Sequence, residues 1–288
     1  MATPSPANED AILAWNTVLF DKFVRFRRAM TEGLGPHGRL ALQRVGPAEG
    51  AQVVDLGCGF GDTTQQLARL VGERGSVLGI DAAERFVATA TAEATALRLH
   101  NVRFAVGDVE TSPLGSGLDY AFSRFGTMFF GNPVAALRNV RRSLRDGGRL
   151  CMVVWRQKHE NAWASCAEQA VLEVLQAPAE HDQPTCGPGP FSMASADVTS
   201  NVLLAAGFRD IAFLRSDVPF QIGLDLQDAV EFSLALGPAG EIVRLAGDEG
   251  VRKLPEVRAR VRETLEEYAG AAGVALASSA WIVTACAG

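Results

Sequence analysis

From about Gln52 the chain alternates short apolar runs with segments of helical periodicity, and this alternation restricts the possible folds more than any other feature. Strands covered by helices on both faces read as near-continuous apolar runs, whereas half-exposed strands alternate. Val53–Leu56, Val77–Ile80, Val102–Val106, Leu118–Ser123 and Leu150–Trp155 are runs of the first kind. The stretches between them carry helix signals. One helix opens at Asp62, where Asp62, Thr63 and Thr64 supply capping chemistry and Leu67, Leu70 and Val71 an apolar stripe; Gly72 and Gly75 stop it. A second spans Glu84–Leu99, with Phe86, Ala90, Ala94 and Leu97 at helical spacing. A third lies between Pro133 and Gly147, with Val134, Leu137, Val140 and Leu144 facing inward. Arg138, Arg141, Arg142 and Arg145 on its other face are expected to be solvated. The expected fold is α/β, an open, doubly wound sheet.

The flanks follow a different pattern. Residues 1–48 read as an N-terminal helical cap in which Trp15, Phe20, Phe23 and Phe26 are interleaved with Lys22, Arg25, Arg27 and Arg28. Residues 49–288 read as the sheet domain, with insertions near 157–193 and 223–273 forming a substrate cap. The first insertion holds a helical stretch and the loop Pro184–Pro190; in the second, Val257, Val261 and Leu265 mark one helix. With 33 acidic against 27 basic side chains and a net charge of −6, the chain lacks the cationic footprint of a protein that tracks nucleic acid or an anionic membrane. Its polar start, Met1–Asp10, does not read as a secretory signal, and Val274–Ala287 is too short to span a bilayer, so a cytoplasmic location is expected. Five cysteines without C-x-x-C spacing read as free thiols, and four scattered histidines suggest no metal site.

The chemistry concentrates in Val53-Val54-Asp55-Leu56-Gly57-Cys58-Gly59-Phe60-Gly61-Asp62, a buried strand running through glycines into a helix start. Such a loop lets the backbone approach a ligand and aims free N–H groups at it. The dinucleotide fingerprint G-x-G-x-x-G would place its third glycine where this chain has Asp62. Asp55, two positions ahead of the loop, would repel a pyrophosphate but suits a cation. Asp81 ends the second strand, where a carboxylate can accept from both hydroxyls of a ribose, and Asp108 follows the third, within reach of an exocyclic amine. A cofactor with an amino-acid end, a ribose and an adenine fits these three acids, and S-adenosylmethionine is such a molecule.

The segments VVDLGCGFG, VLGID, VRFAVGDVE and LRNVRRSLRDGGRLCMVVWR, covering about residues 50–156, resemble the class I S-adenosylmethionine-dependent methyltransferases of the ubiquinone/menaquinone-biosynthesis-like small-molecule group. The resemblance implies a seven-stranded Rossmann-like sheet of order 3-2-1-4-5-7-6 whose last strand, near Ala280–Ala285, is antiparallel. It also implies that Asp55 and the loop Gly57, Cys58 and Gly59 hold the methionine end, Asp81 the ribose and Ala82 one adenine face. Asp108 and the Val109 amide would read the adenine edge. Ser123 would offer its backbone, Phe125 would touch the cofactor, and Arg124 and Met128 would face the acceptor.

Methyl transfer from a sulfonium is an in-line displacement that depends on holding nucleophile, methyl and sulfur in line. His159, just past the fifth strand, is the first candidate for a base, and His37 the second. Trp15, Phe20 and Trp163 could form an aromatic lid over the acceptor. The expected activity is methyl transfer to an apolar, aromatic or polyketide-like small molecule, with S-adenosylhomocysteine as product. The rivals are a methyltransferase-fold protein with a non-methylating or regulatory role and a nicotinamide-dependent reductase. The N-terminal helices could also pair two copies of the chain.

Overall fold

In the computed structural model, which describes residues 8–176 and 188–288, the central strands run parallel. They are β1 (Gln52–Leu56), β2 (Ser76–Asp81), β3 (Val102–Val106), β4 (Leu118–Arg124) and β5 (Leu144–Trp155). A long hairpin of β6 (Phe208–Gly223) and β8 (Gly273–Ala287) completes the sheet, with β8 antiparallel to both β5 and β6. The strand order is β3-β2-β1-β4-β5-β8-β6. A two-residue strand, β7 (Ala269–Gly270), pairs only with β8 at the turn that leads into it. Leaving that ribbon out, the path is the expected 3-2-1-4-5-7-6.

Helices α4 (Asp62–Val71), α5 (Glu84–Ala96) and α6 (Pro133–Ser143) cover the parallel strands. Leu67, Val71, Leu137 and Val140 are fully buried against a core that includes Leu56, Ile80, Phe122 and Met152. Two expected inward residues are not inward. Leu70 is 46% exposed, and Leu97 is 53% exposed because α5 ends at Ala96 and Arg98 turns left-handed at φ +54°. On the opposite face of α6, Arg138 donates to the Ala205 carbonyl and Arg145, just beyond, pairs with Asp119.

Sequence order reverses between β1 and β4, whose register sets Asp55 opposite Phe122. In open α/β sheets the crevice beyond the strand ends at such a point takes the ligand. Two groups of helices pack around the sheet. On one side are α1 (Glu9–Asn16), α2 (Val18–Arg25), a π-helical turn (Ala29–Gly33) and α3 (Gly35–Val45). On the other are α7 (Ala162–Leu172), α9 (Leu226–Leu236), α10 (Pro238–Leu245) and α11 (Gly247–Glu266); α8 (Ala196–Ala205) packs outside, against α6 and β6. Val257, Val261 and Leu265 of α11 are all fully buried. The loop Pro184–Pro190 lies partly outside the described residues.

Among the described residues no helix is long and apolar enough to cross a membrane, and no cluster of three metal-ligating side chains occurs.

Candidate functional site

β1 leads straight into the glycine loop. The N–H groups of Gly57 and Cys58 both donate to the Ile80 carbonyl, at 2.9 and 3.1 Å, which folds the loop back over β2. Gly59 adopts φ +53°, and the direction in which a Cβ would project meets nothing within 4 Å. That open space is a cradle a side chain would fill. Gly61, at φ +78°, has the opposite reason to be glycine: a Cβ there would come within 2.9 Å of Phe104 and Ala90.

The three acids surround this loop. Asp55 is 1% exposed and accepts a 2.7 Å hydrogen bond from the Thr64 hydroxyl. Burial pushes its carboxyl up to about 7, despite the opposing pull of Thr64 and Arg124. Asp81 accepts from the Gly59 N–H through one oxygen and from the Ala83 N–H through the other, both at 2.9 Å. Burial raises its pKa as well. Each of its oxygens keeps a second lone pair for a ligand hydroxyl. Asp108 accepts from the Glu110 N–H at 2.9 Å and from the side-chain amide of Asn8 at 3.0 Å.

A cavity of about 1220 Å³ opens beside these groups. Sites for one drug-sized ligand run to roughly 1,000 Å³ at most, so this space is large enough for two small ligands. Its near end is lined by Asp55, the glycine loop, Asp81, Ala82, Asp108 and Val109. Its far end is lined by side chains such as Met30, Leu34, Trp163, Phe191, Phe220 and Phe232. Between the two ends lies the segment after β4. Phe125 turns left-handed at φ +59°, stacks on Trp155 at 4.2 Å between centroids, and brings Gly126 against Gly57.

Cys58, Trp15, Arg124, Phe125, Met128 and Trp163 all line this cavity. The Trp15 ring meets Phe23, Phe86 and Phe129 edge-on. Other expected site residues lie elsewhere. Phe20 does not line the cavity; it packs against Phe60 and Phe86, which do. The Ser123 side chain lies under the floor, fully buried, donating to the Leu56 carbonyl at 2.8 Å. His159 is exposed in a 3-10 turn and does not line the cavity, so its position does not suit a base.

His37 is fully buried behind the cavity wall, its ring edge-on to Phe125 and Trp155. Its Nε2 lies 2.9 Å from the Ser278 hydroxyl, which donates its proton to the Val218 carbonyl and so must accept from Nε2–H. The Ser216 hydroxyl, 2.7 Å from Nδ1, is then the donor, and the imidazole is neutral. Burial, together with Arg124, lowers its pKa to about 4 from 6.5, although Asp217 pulls the other way. Between those values the unfolded chain binds the extra proton, so stability is expected to fall as pH drops from 6.5 toward 4. The loss is at most ~3 kcal/mol. Denaturant unfolding of wild type and His37→Gln at pH 7.5 and 5 checks this; an equal acid loss in both proteins would contradict it.

Sequence reasoning did not find Asn8, Asp62 or the ion pair of Lys158 with Glu168 as cavity residues. No local pattern marks them, because chain folding over a hundred residues brings Asn8 to Asp108.

Comparison with known proteins bears on the family and the fold. A family profile described as a methyltransferase domain matches residues 47–200, more than half of the chain. The chain belongs to that family, the class I S-adenosylmethionine-dependent methyltransferases. It is 32% identical over 126 residues to the aklanonic acid methyltransferase of Streptomyces sp. strain C5, covering 43% of this chain and 57% of that protein. To the nocamycin O-methyltransferase of Saccharothrix syringae it is 28% identical over 210 residues, 70% of this chain and 75% of that one. The chain spans about half the length of the first curated relatives it matches. Among solved structures, the YcgJ protein of Bacillus subtilis superposes with a TM-score of 0.55 at 16% identity, covering 88% and 97% of the two chains. The cyclase SpnF superposes at 0.51 with 21% identity, covering 86% and 80%. Both likenesses concern the fold alone.

The residues present fit the family's cofactor, S-adenosylmethionine. The open space over Gly59 admits close approach, and the carboxyls of buried Asp55 and half-buried Asp81, both raised by desolvation, would gain from an ammonium and a diol. A cationic ligand favours ionised Asp55. Below pH 7 its binding must expel a proton, so affinity is expected to fall by up to ~tenfold per pH unit there. Titration of S-adenosylmethionine between pH 6 and 8 checks this, and a flat profile would contradict it.

Proposed function

We propose that this protein transfers the methyl group of S-adenosylmethionine to an apolar, aromatic or polyketide-like small molecule. The observation that carries the reading is the single cavity with an acidic trough at one end and an aromatic compartment at the other. In this reading Asp55 faces the ammonium, Asp81 the ribose hydroxyls and Asp108 the adenine amine, with Ala82 and Val109 beside the base. When bound, the cofactor supplies an electrophilic methyl on a positively charged sulfur.

The chain's own part is to position and to exclude water. Trp155, Phe125 and Trp163 form a continuous aromatic wall, with ring centroids 4.2 and 5.1 Å apart along it. A planar acceptor lying on that wall would present one edge toward the glycine loop. Asp55, Asp81 and Asp108 would hold the cofactor so that its methyl, which would pass to the acceptor's lone pair as the sulfur leaves neutral, faces the wall. No histidine lines the cavity among the described residues. Positioning can supply roughly 7–11 kcal/mol of a barrier, and the aromatic wall is the part of the cavity suited to provide it. Helices α7, α9 and α10 act as the substrate cap. The relatives named for aklanonic acid and nocamycin support an acceptor of natural-product size.

The test is mass spectrometry of a panel of phenolic and polyketide compounds incubated with methyl-labelled donor. One-methyl mass increments matched by S-adenosylhomocysteine release are expected. Cofactor binding without any labelled product would favour the non-methylating role.

A further inference from the structure

Arg124 ends β4, one strand over from the glycine loop. The register sets Asp55 beside Phe122, so Arg124 is level with Gly57, the first residue of the loop. Its stem lies over Gly38, and its guanidinium reaches Asp62, the first residue of α4, at 2.6 Å. Asp62 lies beyond the loop, so the side chain crosses above Gly57–Gly61. It is 11% exposed and lines the cavity.

The charge pattern around it is lopsided. Asp55, Asp62, Asp81 and Asp108 line the near end, and Arg124 is the cation among them. The other cavity cations come from the caps and have partners there. Lys22 donates to the Ala235 carbonyl, Lys158 pairs with Glu168, and Arg244 pairs with Glu241. An amino-acid end carries both an ammonium and a carboxylate, and a trough of acids alone would reject the second. A guanidinium offers five N–H donors in a planar fork suited to a carboxylate, and the contact with Asp62 uses one.

We propose that Arg124 binds the α-carboxylate of the cofactor's methionine end, with Asp62 as the positioning residue that holds the guanidinium across the loop. This rests on the cofactor reading above. It moves Arg124 from the acceptor to the donor and makes the site selective against a donor lacking the carboxylate.

The test compares S-adenosylmethionine with its decarboxylated form, which keeps sulfonium, ribose and adenine, by calorimetric titration of the full chain. Wild type is expected to prefer the carboxylate form by ~10-fold or more, the scale of a charge-assisted pair. Arg124→Gln should abolish that preference while binding the decarboxylated donor within about twofold of wild type, a control for folding of the site. Arg124→Lys should recover part of it, and Asp62→Asn should reduce it with no change for the decarboxylated donor. Equal weakening of both donors in Arg124→Gln would overturn the proposal, as would unchanged affinity for S-adenosylmethionine. If wild type binds neither donor, the cofactor reading itself fails.

Discussion

Replacing Asp81 by alanine is expected to weaken S-adenosylhomocysteine binding ~100-fold. In the proposed function the side chain accepts from two ribose hydroxyls, and hydrogen bonds to a charged group contribute roughly 1.5–3 kcal/mol each, so losing both costs about 3 kcal/mol or more. A second effect adds to this. Asp81 ties the Gly59 and Ala83 amides to the strand end, and without it the loop and the start of α5 lose their common anchor. Asp81→Asn keeps one acceptor oxygen and should fall between. Calorimetric titration checks the order, with Asp146→Ala, an exposed carboxylate near the start of β5, as control. Equal losses in Asp81→Ala and Asp146→Ala would remove Asp81 from the site.

Gly61→Val should unfold the region on which the site stands. The residue would have to hold φ +78° with a branched side chain, and its Cβ would lie 2.8 Å from Phe104 and 2.9 Å from Ala90. Left-handed backbone costs roughly 1–2 kcal/mol and overpacking typically ~1–3, so a loss of about 2–5 kcal/mol is expected. At ~2–4 °C per kcal/mol for a chain of this size, the melting temperature should fall by roughly 10 °C. Gly59→Ala makes the informative contrast. Its Cβ meets no protein atom, so stability should drop only by the backbone cost of ~1–2 kcal/mol, while the methyl occupies ligand space and cofactor binding is lost. Thermal melts paired with titration separate the two. A Gly59→Ala protein that binds normally would show that the cradle is not used.

These contrasts also show what sequence could reveal. Strands β1, β2, β4 and β5 were legible because each lies inside the sheet and its buried stretch writes an apolar run, and β3, an edge strand, because its Val102–Val106 run is nonetheless largely apolar. β6 was not, because it is an edge strand with one partner and mostly solvent-facing side chains, and it carries Pro219, which an edge tolerates. β8 begins seven residues before the expected Ala280, since its first half pairs with β6 beyond the reach of β5 and alternates buried with exposed positions. The three acids were legible because the ends of consecutive parallel strands share one edge of the sheet. Phe20 and His159 were not, because sequence sets a residue on a helix or loop without the direction it faces. His37 read as a second candidate base in the N-terminal cap, whereas its ring is locked between two serines from β6 and β8, far away in the chain. The Asn8 contact with Asp108 and the Arg124 bridge to Asp62 likewise depend on tertiary closure.

The most direct test of the central claim is one titration series with S-adenosylhomocysteine and NADPH on the same protein. The account predicts one saturable site per chain for S-adenosylhomocysteine and no heat with NADPH, since Asp55 would repel a pyrophosphate and Asp62 stands where the dinucleotide fingerprint needs its third glycine. Saturable binding of NADPH with none of S-adenosylhomocysteine would contradict it.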